Sequence, residues 1–391
     1  MTAEVFPAES LNTGLQAPSC PHRPPCPACP RFGEHGIAFS AHATLDALAH
    51  AHGLPPISII SGTTTGFRLR ARLAIRGRVG SPKLGLFEAG THRVVHIPNC
   101  SIQHPLINKV ANVVRRALVD TRVTCYSDSA HLGIARYLQV VVERSTQTAQ
   151  VVIVGNHSTP EPLAACLDLI RERLAGNLHS LWFNANCERA NTILGPEFQH
   201  WYGPESVVER FGGAAVHYPP GAFGQNNLDI AQTIIEHVRT QIPTGVRVAE
   251  FYSGVGAIGL SVLDRVSEIR MNEVSQHSLQ GLELGISQLN AADQAKVSVM
   301  PGPAGAAGLI ASDAQVIIVD PPRKGLESDL IAHLRERPPE CLIYVSCGLE
   351  SFLRDAQQLT LCGTLRLSAL TAFNLLPFTE HVEIVARFER T

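Results

Sequence analysis

The second half of the chain alternates apolar strand patterns with helical patterns, and this order limits the fold more than any other feature. An amphipathic helical stripe over 228–242 opens the series. Helical patterns then begin near 257, 276 and 326, and they separate five apolar strands at 246–252, 267–273, 297–301, 314–320 and 341–347. Such an alternation builds a doubly wound, mostly parallel sheet with helices on both faces. We therefore predict an α/β domain over 218–391, closed by an antiparallel pair of strands at the sheet edge.

The first half of the chain has the pattern of a strand-rich α+β unit. GFRLRARLAIRG alternates apolar residues with arginines, which predicts a half-buried strand whose outer face carries Arg68, Arg70 and Arg72. Further strand patterns lie at 83–88, 121–125, 137–144 and 149–156, and helical patterns lie at 43–52 and 160–175. We predict that residues 1–18 form a flexible leader and that residues 19–217 form the first domain.

Basic residues concentrate in this first domain, although the whole chain has a net charge of only −2. The stretch 61–119 contains ten basic residues and a single acid, Glu88. A stretch with such an excess of basic over acidic residues makes a positively charged surface, and phosphate backbones are the commonest large partners of such surfaces. The charge pattern therefore predicts a nucleic-acid partner.

The cysteines predict a metal site in a reducing compartment. The chain has neither a signal-peptide pattern nor an apolar run long enough to span a membrane, so its ten cysteines indicate the cytoplasm, where disulfides are rare. Cys20, Cys26 and Cys29 form C-x5-C-x2-C, and Cys100 is the candidate fourth ligand. A close triplet with one remote cysteine is typical of iron–sulfur ligation, while zinc bound with the help of His22 remains the alternative.

Two strand ends in the second half have the features of a nucleotide site. VAEFYSGVGAIGL joins an apolar strand to a glycine-rich turn, in which Gly254 and Gly256 let the backbone approach a ligand and Glu250 supplies a carboxylate. The next strand ends in Glu273, which is placed to bind ribose hydroxyls. Because the third glycine of a dinucleotide motif is missing, we expect an adenosyl ligand, with a plain helix-packing turn as the structural alternative.

Three further strand ends carry groups that suit covalent chemistry on a nucleobase. VIIVDPPRKGL places Asp320 before two prolines that force the chain out of the sheet, where a carboxylate can accept the N–H of a base. YVSCGLES puts Cys347 at a turn that opens a helix, and a helix N-terminus stabilises a thiolate. TEHVE starts the last strand with Glu383, a candidate general base. Each of these residues also has an ordinary structural explanation. Asp320 would belong to a strand-ending turn, Cys347 would be a buried strand residue, and Glu383 would be an exposed residue of an edge strand.

Together, these stretches resemble the RNA 5-methyluridine methyltransferase family, in particular its iron–sulfur-containing members that act on ribosomal RNA. The matching pieces run in order along the chain: the cysteine motif with Cys100, FGQNN, EFYSGVG, DPPRKG, SCGLES with FLRD, and TEHVE. The resemblance implies a Rossmann-like class I S-adenosylmethionine-dependent methyltransferase domain, preceded by an iron–sulfur and RNA-binding domain. Nineteen residues precede Cys20, so we expect the short form that lacks an N-terminal RNA-binding barrel, the TRAM domain.

The resemblance also implies a role for each site residue. Cys347 would be the catalytic nucleophile and Glu383 the base. The uracil and the RNA around it would be bound by polar and aromatic residues: Asp320, Gln225, Phe223, Arg68, Arg70 and Arg72. S-adenosyl-L-methionine would be held by residues near the strand ends: Gln225, Glu250, Tyr252, Gly254, Gly256, Glu273 and Asp320. A [4Fe–4S] cluster would be bound by the four cysteines: Cys20, Cys26, Cys29 and Cys100.

The implied reaction needs one thiolate and one base. The thiolate adds to carbon 6 of uracil, carbon 5 then takes the methyl group, and the base removes the proton from carbon 5 so that the thiol can leave. We expect a monomer that acts on 23S ribosomal RNA, with transfer RNA as the second candidate. The chain departs from the family at Gly348 and Leu349, where Asn-Pro is usual, and at GPAGAAG, where an acid often approaches the adenine.

Two rival functions follow from these departures and from the neighbouring families. An RNA 5-methylcytidine methyltransferase would carry a second cysteine in the DPPRKG loop, and this loop has none. A non-catalytic RNA-binding relative would keep the fold and lose activity through the altered turn after Cys347.

Overall fold

The computed structural model describes residues 19–189, 191–307 and 313–391. The predicted leader, 1–18, lies outside the described residues. Within the described ranges, no helix is both long and apolar enough to cross a membrane.

The described residues form seventeen strands and nine α-helices. The strands are β1 Ser58–Ser61, β2 Arg70–Arg78, β3 Ser81–Phe87, β4 Val94–His96, β5 Ala135–Glu143, β6 Thr148–Gly155, β7 Leu178–Ala185, β8 Glu197–Tyr202, β9 Val207–Phe211, β10 Ala214–Tyr218, β11 Val246–Phe251, β12 Val266–Glu273, β13 Val297–Pro301, β14 Val316–Val319, β15 Cys341–Ser346, β16 Leu365–Asn374 and β17 Glu383–Arg390. The helices are α1 Phe39–Ala51, α2 Pro105–Asp120, α3 Ala164–Leu174, α4 Leu228–Thr240, α5 Gln276–Ser287, α6 Ala291–Gln294, α7 Ala304–Ala307, α8 Ser328–Glu336 and α9 Leu349–Thr360.

The C-terminal half forms an eight-stranded sheet in the order β1-β16-β17-β15-β14-β11-β12-β13. The strands β11 to β15 are mutually parallel, and β17 runs antiparallel between β15 and β16. This arrangement confirms the predicted α/β, Rossmann-like class. The two last strands do pair antiparallel, but they do not form the sheet edge, because β1 adds to β16 in parallel.

The N-terminal half forms a seven-stranded, mostly antiparallel sheet in the order β4-β3-β2-β5-β6-β7-β8. Helices α2 and α3 bury their apolar stripes against it, through residues such as Ile107, Val110 and Leu167. The strand predicted at 121–125 is wrong, since Cys125 makes only an isolated bridge to Ala135. Strands β7 to β10 were not predicted from the sequence.

Residues 39–61 lie on the second sheet, although the predicted boundary assigns them to the first domain. Ala41 and Leu45 of α1 are buried in one core with Tyr344 of β15, and β1 extends the same sheet. From residue 39 the chain therefore runs first on the eight-stranded sheet, crosses to the seven-stranded sheet and returns.

The turn after β11 also differs from the prediction. The helix expected from about residue 257 is a short 3₁₀ segment, Gly259–Val262, within a run of turns. Two buried glycines explain this local change, because Gly256 has a φ of +84° and Gly259 packs directly against the Glu250 carboxylate. The irregular turn leaves the carboxyl end of β11 open.

Candidate active site

Sheet register brings the predicted nucleophile and base together. Ser346 of β15 pairs with Ile384 of β17, so the antiparallel ladder continued by one residue places Cys347 opposite Glu383. Facing Cα atoms in such a ladder lie about 4.5–5.5 Å apart. Parallel pairing of Val319 with Tyr344 brings Asp320 to the same edge. Three groups that are distant in sequence therefore meet at the carboxyl ends of the central strands.

Cys347 is half-buried, and its thiol is the resting form. Burial, helped by the nearby carboxyl groups of Glu383 and Asp320 and opposed by the Arg323 guanidinium, raises its pKa to about 11. The stabilisation of a thiolate by the helix N-terminus stays a prediction. Cys347 precedes the N-cap residue, Gly348, and burial outweighs the helix dipole there.

Glu383 and Asp320 have pKa values close to neutral. Burial, helped by the Asp320 carboxylate and opposed by Arg323, raises the pKa of Glu383 to about 8. Burial alone raises the pKa of Asp320 to about 7. A carboxyl group with a pKa near the working pH is well suited to take and release a proton. Such displaced values cluster at functional sites.

Arg323 and His381 belong to this site although they were not among the predicted site residues. The Arg323 guanidinium lies 3.1 Å from the Nε2 atom of His381. Arg323 also faces Cys347 and Glu383 closely enough to lower both pKa values. The sequence offered a signal for both, since Arg323 follows the DPP turn and His381 precedes Glu383 by two positions.

The glycine after Cys347 allows close packing of the DPPRKG loop. A Cβ atom at Gly348 would lie 2.6 Å from Ser351 Oγ and 3.0 Å from the carbonyl oxygen of Arg323. This contact gives a physical reason for glycine at a position where the family usually has asparagine. The altered turn thus holds Arg323 against the strand end that carries Cys347.

The predicted adenosyl site lies at the neighbouring strand ends. Glu273 Oε2 accepts the Gly254 N–H at 2.8 Å, and its Oε1 accepts the N–H groups of Val274 at 2.8 Å and Ser275 at 2.6 Å, which leaves one lone pair on Oε2 for a ligand. Glu250 is 1% exposed, and its Oε2 atom has no hydrogen-bond partner among the described residues. Burial, helped by Asp320, raises the pKa of Glu250 well above its ordinary range. Tyr252 has a φ of +60°, and its hydroxyl accepts the Glu327 N–H.

The FGQNN segment borders the same crevice. Asn227 caps α4 through the Ile230 N–H and donates from Nδ2 to the carbonyl oxygen of Leu375 at 3.1 Å. Phe223 is 68% exposed, which is unusual for a phenylalanine, and Gln225 is half-buried. The segment therefore presents one aromatic ring and one amide beside the strand ends.

The predicted arginine face of β2 is not an open surface. Arg70 is only 9% exposed, with its guanidinium 4.3 Å from the centre of the Tyr218 ring and in contact with Gly224. Arg68 is half-buried and faces the thiols of Cys29 and Cys100. Arg72 alone is exposed, although its Nε donates to Gln139 at 2.7 Å. The strand alternation was interpreted correctly, but neighbouring loops cover the face it defines.

The four predicted cluster ligands line one cavity. Cys20, Cys26, Cys29 and Cys100 surround it together with His22 and apolar side chains. Burial, helped by the other three thiols, raises the pKa of Cys29 to about 11, so the four sulfur atoms are close together. Within 19–189, 191–307 and 313–391, no group of three or more acidic, histidine or cysteine side chains is arranged to hold a metal ion, and the iron–sulfur cluster and its zinc alternative stay predictions.

Comparison with known proteins places the chain in a family. A family model described as tRNA (uracil-5-)-methyltransferase matches residues 308–390. A relative from Protochlamydia amoebophila, named as an uncharacterised RNA methyltransferase, is 34% identical over 382 residues, which cover 96% of this chain and 98% of the relative. The chain belongs to the RNA uracil-5-methyltransferase family. It is thus an RNA methyltransferase that depends on S-adenosylmethionine.

Other relatives agree with this assignment. An uncharacterised RNA methyltransferase of Halalkalibacterium halodurans is 27% identical, and the match covers 88% of this chain and 74% of that relative. Among solved structures, the tRNA (uracil-54, C5)-methyltransferase of Pyrococcus abyssi, in complex with S-adenosyl-L-homocysteine, matches with a TM-score of 0.73. At 20% identity, over 89% of this chain and 83% of that one, this match shows a shared fold.

Proposed function

We propose that this RNA methyltransferase forms 5-methyluridine, with Cys347 as the nucleophile and Glu383 as the base. The observation that carries the proposal is the sheet register, which sets these two residues opposite each other beside Asp320. A thiol, a base and a polar clamp at one strand edge are what methylation at carbon 5 of uracil requires.

The proposed cycle uses both groups in turn. The Cys347 thiolate adds to carbon 6 and makes an enolate, whose carbon 5 is nucleophilic. After carbon 5 has taken the methyl group, Glu383 removes its proton, the bond between carbon 6 and sulfur breaks, and the thiolate leaves. Arg323 supports the ionised forms of both residues, because its charge lowers both pKa values.

The neighbouring residues would hold the two substrates. Asp320 and Gln225 would bind the polar edge of the uracil, and the exposed ring of Phe223 would stack on an RNA base. S-adenosylmethionine supplies the methyl group as a sulfonium. Its proposed site would use the unpartnered oxygen of Glu250, the remaining lone pair on Glu273 Oε2 and the turn at Gly254 and Gly256, where the backbone can approach an adenosyl ligand.

The proposed target is a uridine of 23S ribosomal RNA. The four converging cysteines support this choice, because the chain resembles the iron–sulfur members of the family that act on ribosomal RNA. They would hold a [4Fe–4S] cluster, and their free thiols suit the reducing cytoplasm. Transfer RNA is the rival target, since the similar structure from Pyrococcus abyssi is a tRNA methyltransferase.

Release of tritium from carbon 5 tests the proposal directly. We would incubate the enzyme and S-adenosylmethionine with unmodified ribosomal or transfer RNA that carries [5-³H]uridine, and measure both methyl incorporation and tritium release. We expect equal amounts of both, and neither with Cys347→Ala. Release from [5-³H]cytidine instead would indicate a 5-methylcytidine enzyme. Binding of RNA without any release would indicate a non-catalytic relative.

A further inference from the structure

The cysteine segment, residues 20–34, contacts the loop that leads into Glu383. This loop, residues 375–382, joins β16 to β17 and will be called the base loop. The Arg31 N–H donates to the carbonyl oxygen of Phe378 at 3.0 Å, and the Arg31 guanidinium donates to the carbonyl oxygen of Thr379 at 3.2 Å. The rings of Phe32 and Phe378 lie 4.9 Å apart.

Phe378 is the anchor of the base loop. It is 2% exposed and packs in a small core with Cys29, Phe67 and Ile102. Its φ is +67°, a conformation that a bulky residue adopts only where its surroundings hold it. The surroundings are the cysteine segment on one side and Phe67, three residues before β2, with Ile102 on the other, so the loop conformation depends on both.

The opposite end of the base loop reaches the active site. His381 meets Arg323, and its backbone N–H donates to Thr379 Oγ1 at 3.2 Å. Thr379 thus has its carbonyl oxygen bound by Arg31 and its hydroxyl bound to His381. Glu383 lies two positions after His381 and is the first residue of β17. A short, continuous chain of contacts runs from the cysteine cavity to the proposed base.

We propose that the cysteine segment is a clamp that sets the position of Glu383, with Arg31 as the positioning residue. Its side chain is 10% exposed, so its hydrogen bonds to the base loop are shielded from water. This inference rests on the proposed role of Glu383 as the base, but the clamp itself is a structural relation that can be measured separately. Ligation of the cysteines strengthens the clamp, because Cys29 belongs both to the cavity and to the core around Phe378.

The segment needs such ligation because it has little structure of its own. Residues 20–34 contain turns and no helix or strand. A segment of this kind is ordered by its cross-links and contacts rather than by a backbone ladder. Loss of the ligand group should therefore loosen Phe378 and the base loop together, and lower the rate of the step that Glu383 performs.

Hydrogen exchange tests the clamp without using activity. We would compare wild type, Arg31→Ala and Arg31→Lys as purified anaerobically, and wild type after removal of iron by a chelator. Arg171→Ala is the matched control, because Arg171 is an exposed arginine of α3 whose described contacts, to Asp168 and the Tyr202 ring, lie outside both the cysteine segment and the base loop. Iron content and kcat and KM for RNA would be measured on each sample.

We expect Arg31→Ala to raise amide exchange in residues 375–382 about tenfold, as for the loss of one hydrogen bond. Its iron content and KM should match wild type, its kcat should fall, and Arg31→Lys should recover part of both changes. The chelated protein should show the same rise in exchange, and Arg171→Ala should show none. Unchanged exchange in Arg31→Ala, or an equal rise in Arg171→Ala, would overturn the clamp. If exchange rises but Glu383→Gln keeps full turnover, the clamp stands and the proposed role of Glu383 is wrong.

Discussion

At the residue scale, the site keeps its two reactive groups neutral until substrate arrives. Burial raises the pKa of Cys347 to about 11 and that of Glu383 to about 8, so both are protonated at pH 7 in the protein without ligand. Two carboxyl groups and a thiol at one strand edge cannot all ionise in a buried space, because each charge disfavours the next. The Arg323 guanidinium is the opposing charge, and it explains how a thiolate can form beside a carboxyl group.

The two halves of the proposed cycle should fail differently on substitution. Cys347→Ala should bind RNA and form no covalent adduct, because no thiolate is present. Glu383→Gln keeps the shape of the side chain but cannot take the carbon 5 proton, so it should accumulate a methylated protein–RNA adduct that survives SDS. Loss of a general base costs about a hundredfold to ten-thousandfold in rate, which is enough for the adduct to build up. Gel electrophoresis with methyl-labelled S-adenosylmethionine measures it.

Glu350→Gln is the control for this pair, because Glu350 is an exposed glutamate in the next helix. It should turn over like wild type and leave no adduct. Turnover by Cys347→Ala, or turnover at the wild-type rate by Glu383→Gln, would contradict the assigned roles.

The raised pKa of Glu383 predicts a stability that depends on pH. An ordinary glutamate has a pKa of 4.5, whereas Glu383 in the folded protein has a pKa of about 8. Between these values the folded state binds one more proton than the unfolded state, so this contribution to stability is full below about pH 4.5 and is lost as the pH rises through 8. Glu383→Gln should therefore melt several degrees above wild type at pH 8.5 and close to it at about pH 4. An equal difference at both pH values in thermal unfolding would contradict the raised pKa.

At the element scale, strand ends supply the chemistry and loops decide which side chains reach solvent. The strand β2 shows this most clearly, since its alternating arginines should form one face. The 219–224 segment covers that face, with Gly224 against Arg70 and the carbonyl oxygen of Pro220 bound by Gln139. Lys83, which faces Arg76 across the β2–β3 ladder, remains exposed.

The difference between exposed and covered basic side chains predicts which of them bind RNA. Arg72→Ala and Lys83→Ala should each reduce the salt dependence of RNA binding by about one phosphate contact, because both side chains are exposed. Arg70→Ala should leave the salt dependence unchanged and lower the melting temperature, because Arg70 is buried against Tyr218. Titrations of RNA binding at several salt concentrations measure the slopes. A changed slope in Arg70→Ala alone would mean that the loop over it opens to admit RNA.

The sequence predicted those elements whose pattern is local. Strands β11 to β15 and the helices α4, α5 and α8 follow from apolar runs, and the Asp320, Cys347 and Glu383 positions follow from where strands end or begin. The segment β1 could not be predicted in the same way, because a four-residue strand in the first quarter of the chain gains its place only by pairing with β16. The Arg323–His381 contact likewise depends on two loops that meet only in the folded protein.

At the scale of the whole molecule, the two sheets share one core. A single apolar cluster includes Leu73 of the first sheet and Ile343 of the second, with α4 between them. The crossing of α1 and β1 onto the second sheet joins the halves a second time. The two predicted domains therefore do not have separate hydrophobic cores.

Thermal unfolding should consequently show one transition. Leu73→Ala and Ile343→Ala remove side chains that are 1% and 0% exposed, and each should cost about 2–5 kcal/mol of unfolding free energy. Because the core is shared, both substitutions should lower the same midpoint, as measured by circular dichroism and by hydrogen exchange in each sheet. Two separate transitions, each sensitive to one substitution, would contradict the shared core.

The cysteine cavity is the third link between the parts of the molecule, and it gives the last prediction. Cys100 is fixed on the first sheet by Asn108 of α2, which accepts its N–H at 3.2 Å and donates to its carbonyl oxygen at 3.0 Å. The other three cysteines belong to the cysteine segment, which is hydrogen-bonded to the base loop. Protein purified without oxygen should contain about four iron atoms per chain, as a [4Fe–4S] cluster requires. Cys100→Ser should lose this iron and raise exchange in residues 20–34 and 375–382, whereas Cys187→Ser, at an exposed cysteine outside the cavity, should change neither. Zinc in place of iron in the wild-type protein would contradict the cluster.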